Sequence, residues 1–165
     1  MWEICFARTI LALSIVYFNG CFCSCQEERF FGIFIFNMTT KEMIKYWTRS
    51  ASEDLVTAES LFKTSRFLPC LFYCHLFVEK IIKALIVKKT DKSAPYGHKL
   101  SRLAKLTSVT FSSKQLDFLD DLTSFNIKAR YEDYKFKMYK KATRDYTKNY
   151  LVKAKEIYQW LKEKV

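Results

Sequence analysis

The stretch from about Phe67 to Lys89, FLPCLFYCHLFVEKIIKALIVKK, constrains the fold of this chain more than any other. Leu71, Phe72, Leu76, Phe77, Ile81, Ile82, Leu85 and Ile86 fall on nearly every side of a helix, and Pro69 is tolerated in its first turn. A helix that is apolar nearly all round must be covered on all sides, so it belongs at the centre of a bundle. Upstream, Thr39 and Thr40 can cap a helix in which Ile44, Trp47, Ala51, Leu55, Ala58 and Leu61 recur three and four residues apart. Lys45, Arg49, Glu53 and Glu59 occupy its opposite face.

Downstream, the loop Lys88 to Gly97 carries Pro95 and Gly97, and His98 to Leu106 reads as a short helix through Leu100, Leu103, Ala104 and Leu106. Ser112 or Ser113 caps a further helix through Leu116, Leu119, Leu122 and Phe125. Thr143 starts the last one, where Tyr146, Tyr150, Ala154, Ile157 and Leu161 form a stripe that Trp160 widens. No run alternates like a strand or carries a hairpin turn. The expected fold is all-α, an up-and-down four-helix bundle with a short additional helix.

At 165 residues there is room for one domain and one core. The first 37 residues differ in character from the rest: they are apolar and hold four of the six cysteines. Their apolar runs fall short of the roughly 18 to 20 residues a membrane-spanning helix needs, and the match to a signal peptide is poor. Residues 1–37 are therefore read as an upstream extension, or else as a degenerate signal-like segment, with the functional protein expected to begin at Met38, at residues 38–165, and to be cytoplasmic. Taking the two arginines and three glutamates of residues 1–37 from the totals of 28 and 17 leaves 26 basic against 14 acidic residues. That excess favours anionic partners such as nucleic acid, nucleotide or an acidic protein surface.

Phe125 to Tyr150 concentrates this charge: Lys128, Arg130, Lys135, Lys137, Lys140, Lys141, Arg144 and Lys148 alternate with five tyrosines. Such a segment can line a site for phosphates and bases, or it can be a solvated loop leading into an amphipathic helix. Gly97 is the one glycine after Met38, which excludes a Walker loop and a dinucleotide fingerprint. Phosphate binding must then rely on side chains, Arg130 first among them. Glu79 interrupts an apolar face beside Lys80 and Lys83. Either it faces solvent, or it is buried with a basic partner such as Arg130. His75 reads as a core or interface histidine, and His98 as a capping or exposed one. Asp120 and Asp121 read as a solvated face. Cys70 and Cys74 read as buried free thiols, and Cys21, Cys23 and Cys25 alternate too tightly for zinc. No metal and no cofactor is expected.

Four segments recur in a recognisable order. They are Trp47 with Ala51, Asp54, Leu55 and Ala58; Phe72 to Leu85 as FYCHLFVEKIIKAL; His98 and Leu100 in HKLSRL; and Asn126 to Asp133 as NIKARYED. Together they resemble the HEPN family, the higher eukaryotes and prokaryotes nucleotide-binding domain. ARYED is similar to the family's RYP-D motif, with Glu132 where proline is usual. The resemblance implies a four- or five-helix bundle, commonly a homodimer, often partnered with a small nucleotidyltransferase as a toxin and antitoxin pair. It also implies, for many members, metal-independent ribonuclease activity from an Arg followed after four to six residues by His. Arg130 matches, but Lys135, Phe136 and Lys137 stand where that histidine could fall. His98 matches the family's loop histidine, and Tyr139 lies near the position that a partner enzyme modifies with AMP in some members.

The leading expectation is a HEPN protein that binds nucleotide or RNA phosphate beside a nucleotidyltransferase, with no membrane involvement. Its site would comprise Arg130, Tyr131, Asp133, Tyr134, Lys137, Glu79 and Lys83. Catalysis is not expected to be its main role. The alternatives are a ribonuclease toxin using Arg130 with an unorthodox partner such as Tyr134 or Lys137, and a helical adaptor whose basic face docks an acidic protein.

Overall fold

The computed structural model describes residues 38–130 and 138–165, with the backbone alone at Ala129 and Arg130. The expectations for residues 1–37 and for Tyr131, Asp133, Tyr134 and Lys137 lie outside these residues. The described residues form the helices α1 (Thr40–Lys63), α2 (Phe67–Thr90), α3 (Leu100–Ala104), α4 (Ser113–Arg130) and α5 (Arg144–Lys162), and residues 138–141 are helical as well. No strand is present among the described residues, and none of their helices is long and apolar enough to cross a membrane. The all-α expectation holds.

The helix starts are fixed locally. Thr39 caps α1 in a capping box with Glu42, so two amides that lack helical partners are satisfied reciprocally. Ser112, rather than Ser113, caps α4: Gln115 N–H donates to Ser112 Oγ at 3.3 Å while the Ser112 amide donates to Gln115 Oε1 at 2.9 Å. Thr143 Oγ1 accepts from Tyr146 N–H at 3.3 Å at the start of α5. At the end of α2, Asp91 adopts a left-handed conformation (φ 52°) and its amide returns to Val87 O. Gly97 has φ 129°, a conformation that side chains rarely adopt, and this turn delivers His98 back to the bundle.

Helix α2 packs against α1, α3, α4 and α5 and is the central element. Its partners alternate in direction. Contacts of Asp54 with Lys80 and Trp47 with Lys83 run α1 antiparallel to α2. Those of Phe125 with Tyr146 and Phe118 with Tyr150 run α4 antiparallel to α5. Phe77 with Tyr158 and Lys88 with Lys164 set α5 parallel to α2. The result is an up-and-down four-helix bundle with the short α3 added between α2 and α4. Ala51 and Ala58, both fully buried, let α1 approach the large side chains of α2 closely.

Three details depart from the sequence pattern. In α1 the buried face includes Met43 and Asp54, while Ile44 and Leu55 are only half-buried. In α5 the buried positions are Thr147, Leu151, Ala154, Ile157, Tyr158 and Leu161, and Tyr146 and Tyr150 are half-buried against Phe125 and Phe118. Third, α2 is not covered evenly: Phe72, Tyr73, Leu76 and Lys80 are intermediate.

The Tyr158 hydroxyl is buried with no hydrogen-bond partner among the described residues. A desolvated, unpaired hydroxyl costs more than it returns. Tyr158→Phe is therefore expected to raise the unfolding free energy by up to about 1 kcal/mol. Urea denaturation checks this, and a loss of stability would show that the hydroxyl is bonded in solution.

Candidate functional site

Helix α2 places His75, Glu79 and Lys83 four residues apart, so one turn separates each from the next and all three share a face. On that face Glu79 Oε2 accepts from His75 Nε2 at 2.9 Å, and Lys83 Nζ donates to Glu79 Oε1 at 2.7 Å. The loop that follows α2 contributes the fourth member. His98 Nδ1 lies 3.0 Å from Glu79 Oε2 and 3.2 Å from Oε1. From α1, the Trp47 ring lies under Lys83, whose ammonium is 5.1 Å from the ring centroid. Two imidazoles and an ammonium thus converge on one carboxylate that is 5 % exposed.

Burial alone would push the Glu79 carboxyl up. The hydrogen bonds from His75 and His98 and the positive charges of Lys83 and His75 outweigh it and hold the carboxyl well below the usual range. His75 is fully buried; its Nε2 donates to Glu79, and its Nδ1 has no hydrogen-bond partner among the described residues. The His98 side chain is half exposed, with Nδ1 committed to Glu79. Beside this network Asp54 of α1 meets Lys80 of α2 at 2.6 Å, and burial pushes the Asp54 carboxyl up against that opposing charge.

Short hydrogen bonds set the register of α3 on α4. Ser101 Oγ donates to Asp120 Oδ1 at 2.5 Å, and Leu100 N–H donates to Thr123 Oγ1 at 3.1 Å. Moving toward the start of α3 thus advances toward the C-terminal end of α4, which closes at Arg130. Thr123 and Arg130 are seven residues apart along α4, a rise of roughly 10 Å.

His75, Glu79 and His98 offer donor atoms within 4.8 Å of one another, the kind of set that could hold a metal ion. Two observations fit a metal poorly. Lys83 places a positive charge on the same carboxylate, and a metal on His75 Nε2 would drive the proton to Nδ1, which has no acceptor among the described residues. The donor set suits a proton-held ion network better.

The HEPN domain family matches residues 44–164. This chain belongs to the HEPN family. The HEPN fold also relates it to the crystal structure of TT1696 from Thermus thermophilus, with a TM-score of 0.64 and 18% identity. That similarity covers 74% of this chain and 98% of that one, and it bears on the fold alone. No curated protein matches significantly by comparison. HEPN membership assigns the chain to a family of nucleotide- and RNA-related function.

Within this HEPN domain two of the expected site residues, Glu79 and Lys83, are in direct contact. Arg130 is the last residue of α4 rather than part of a following loop, because α4 continues past Phe125. The alternative of a solvent-facing Glu79 is overturned by its burial; its described partners are His75, Lys83 and His98, and the expected pairing with the Arg130 side chain lies outside the described residues. His98 does not cap α3, whose first turn has no side-chain cap, but ties the loop to Glu79. Asp120 and Asp121 are exposed as expected, and each also accepts a hydrogen bond, from Ser101 and Tyr150. Cys70 and Cys74 are buried free thiols; the hydrogen bond between them and burial push the Cys74 thiol up, away from the reactive thiolate. The sequence signal for His75 was its spacing from Glu79 and Lys83. For His98 there was none besides the resemblance.

Proposed function

We propose that this HEPN protein binds nucleotide or RNA phosphate at the end of the bundle where α4 closes, with Arg130 as the main phosphate ligand. Tyr131, Asp133, Tyr134 and Lys137 would complete the site, and Glu79 and Lys83 would hold the adjoining surface. The observation that carries this reading is the ion network on Glu79, which fixes a half-exposed imidazole, His98, on the side of the bundle toward which α4 ends in arginine. An arginine and a protonatable imidazole are suitable donors for a phosphate. The protein would act as a homodimer beside a small nucleotidyltransferase, in a toxin and antitoxin pair. Calorimetry with ATP and short RNAs tests the site. Arg130→Ala is expected to weaken binding by about 1 to 3 kcal/mol, and equal affinity in both proteins would reject the assignment.

A second reading, metal-independent RNA cleavage, is favoured by one feature. A buried carboxylate orienting a half-exposed imidazole is an arrangement that can move a proton at a ribose hydroxyl. RNA that stays intact on prolonged incubation with the protein would reject it.

A further inference from the structure

A second basic surface lies apart from the Glu79 network, on the outer side of α1. Lys41, Lys45 and Arg49 succeed one another every fourth residue, so they form a row along the helix with a rise of about 6 Å per step. Lys162 from the end of α5 lines the same shallow, open groove of about 550 Å³, with Ile44, Thr48 and Ser52, and the surface exposed within it is mainly apolar. Among the described residues no carboxylate lines the groove. Glu42 is engaged in the α1 capping box, and Glu53 pairs with Arg49 of the row itself at 2.9 Å. The groove therefore presents three lysines with no ion-pair partner among the described residues, one arginine in a solvent-exposed pair, and an apolar side chain between them.

We infer that this groove binds the sugar–phosphate backbone of a single-stranded nucleic acid. The repeat of the charges matches a polyanion better than a small ligand: a row of cations a helical turn apart engages successive phosphates, whereas a lone phosphate uses only one or two of them. The groove is open enough for a strand to lie along α1, and its mainly apolar floor around Ile44 gives a sugar or base a surface to rest on. A strand held here is bound through its charge and length, without sequence preference. This inference goes beyond the Arg130 site and stands on different residues.

Fluorescence anisotropy with a labelled short single-stranded RNA, and with DNA of the same sequence, tests it in the full chain. The affinity should fall with rising salt, by about 0.7 in logarithmic slope for each phosphate neutralised. The variant Lys41→Ala/Lys45→Ala/Lys162→Ala is expected to bind roughly ten- to a hundredfold more weakly and to lose about two units of that slope. Lysine-to-arginine replacement at the same positions should keep both. These side chains are on the surface, so circular dichroism of the variants should match wild type. Wild-type affinity and slope in the alanine variant would overturn the inference, as would equal binding of polyglutamate, which would make the groove a site for acidic protein. RNA and DNA binding alike identifies the shared backbone as the ligand, while binding of RNA alone would overturn backbone-only recognition. Mononucleotide affinity reports the Arg130 site separately. It should be unchanged in the groove variant and reduced in Arg130→Ala, so either site can fail without the other.

Discussion

Glu79→Ala is expected to lower the unfolding free energy by about 3 to 5 kcal/mol, the largest polar effect in the protein. The carboxylate is the shared acceptor of His75, His98 and Lys83, and both His75 and Lys83 are buried. Removing it leaves a buried ammonium and a buried imidazole N–H with nothing to accept from them, and the cost is that of stranded donors rather than of one lost bond. The contrast with a double replacement makes this specific. Glu79→Met with Lys83→Met removes both charges while filling the space, and should be close to neutral. Urea denaturation of the three proteins checks the pattern: additive losses in the double variant would sink the explanation. Acid titration supplies a second reading. The folded-state pKa of Glu79 is depressed below its unfolded value, so its contribution is fully present above the ordinary glutamate range and is lost as pH falls through that range and below. Wild type should therefore lose its advantage over Glu79→Ala on acidification, the two stability curves converging at low pH.

Local rules made the helices readable. Periodicity and the caps at Thr39, Ser112 and Thr143 depend on residues at most four apart, and α1, α2 and α5 begin where those signals place them. What apolar periodicity misses is a polar residue that is buried because it has a partner. Asp54 turns the buried face of α1 away from Leu55 because Lys80 of α2 neutralises it. Asn126 continues the buried face of α4 where no apolar residue marks it, and Ile127 is exposed, so the helix outran its apolar pattern. The stripe on α5 shifted because the helix has two neighbours at once: Leu151 and Tyr158 face the core while Tyr146 and Tyr150 lie against α4. Of the ion network, the part on α2 was visible as a repeat of four. The His98 contact was not, since it depends on where a loop with a positive-φ glycine returns.

Phe77→Ala is expected to cost a further kind of stability, about 3 to 5 kcal/mol, through packing alone. Phe77 is fully buried at the centre of α2, two residues before Glu79 and on a different side of the helix. Its ring meets Tyr158 of α5 edge-on, with centroids 5.6 Å apart and planes at 82°. Truncation removes the transfer free energy of the ring and leaves a cavity that Ile81, Ile82 and Leu161, themselves fully buried and held by neighbours, can fill only in part. Phe77→Leu keeps more of the volume and should cost less than half as much. Because the ring joins α2 to α5, Phe77→Ala and Tyr158→Ala should be non-additive, with a coupling of about 0.5 to 1.5 kcal/mol. Strict additivity in urea denaturation would mean that α5 is held to α2 by other contacts. The pH dependence separates the two large effects: the loss in Phe77→Ala should persist unchanged into acid, where that of Glu79→Ala fades. The central helix thus carries two independent supports, one titratable and facing His98, the other apolar and facing α5. Only the first, through the Glu79 carboxyl, links the stability of the bundle to pH.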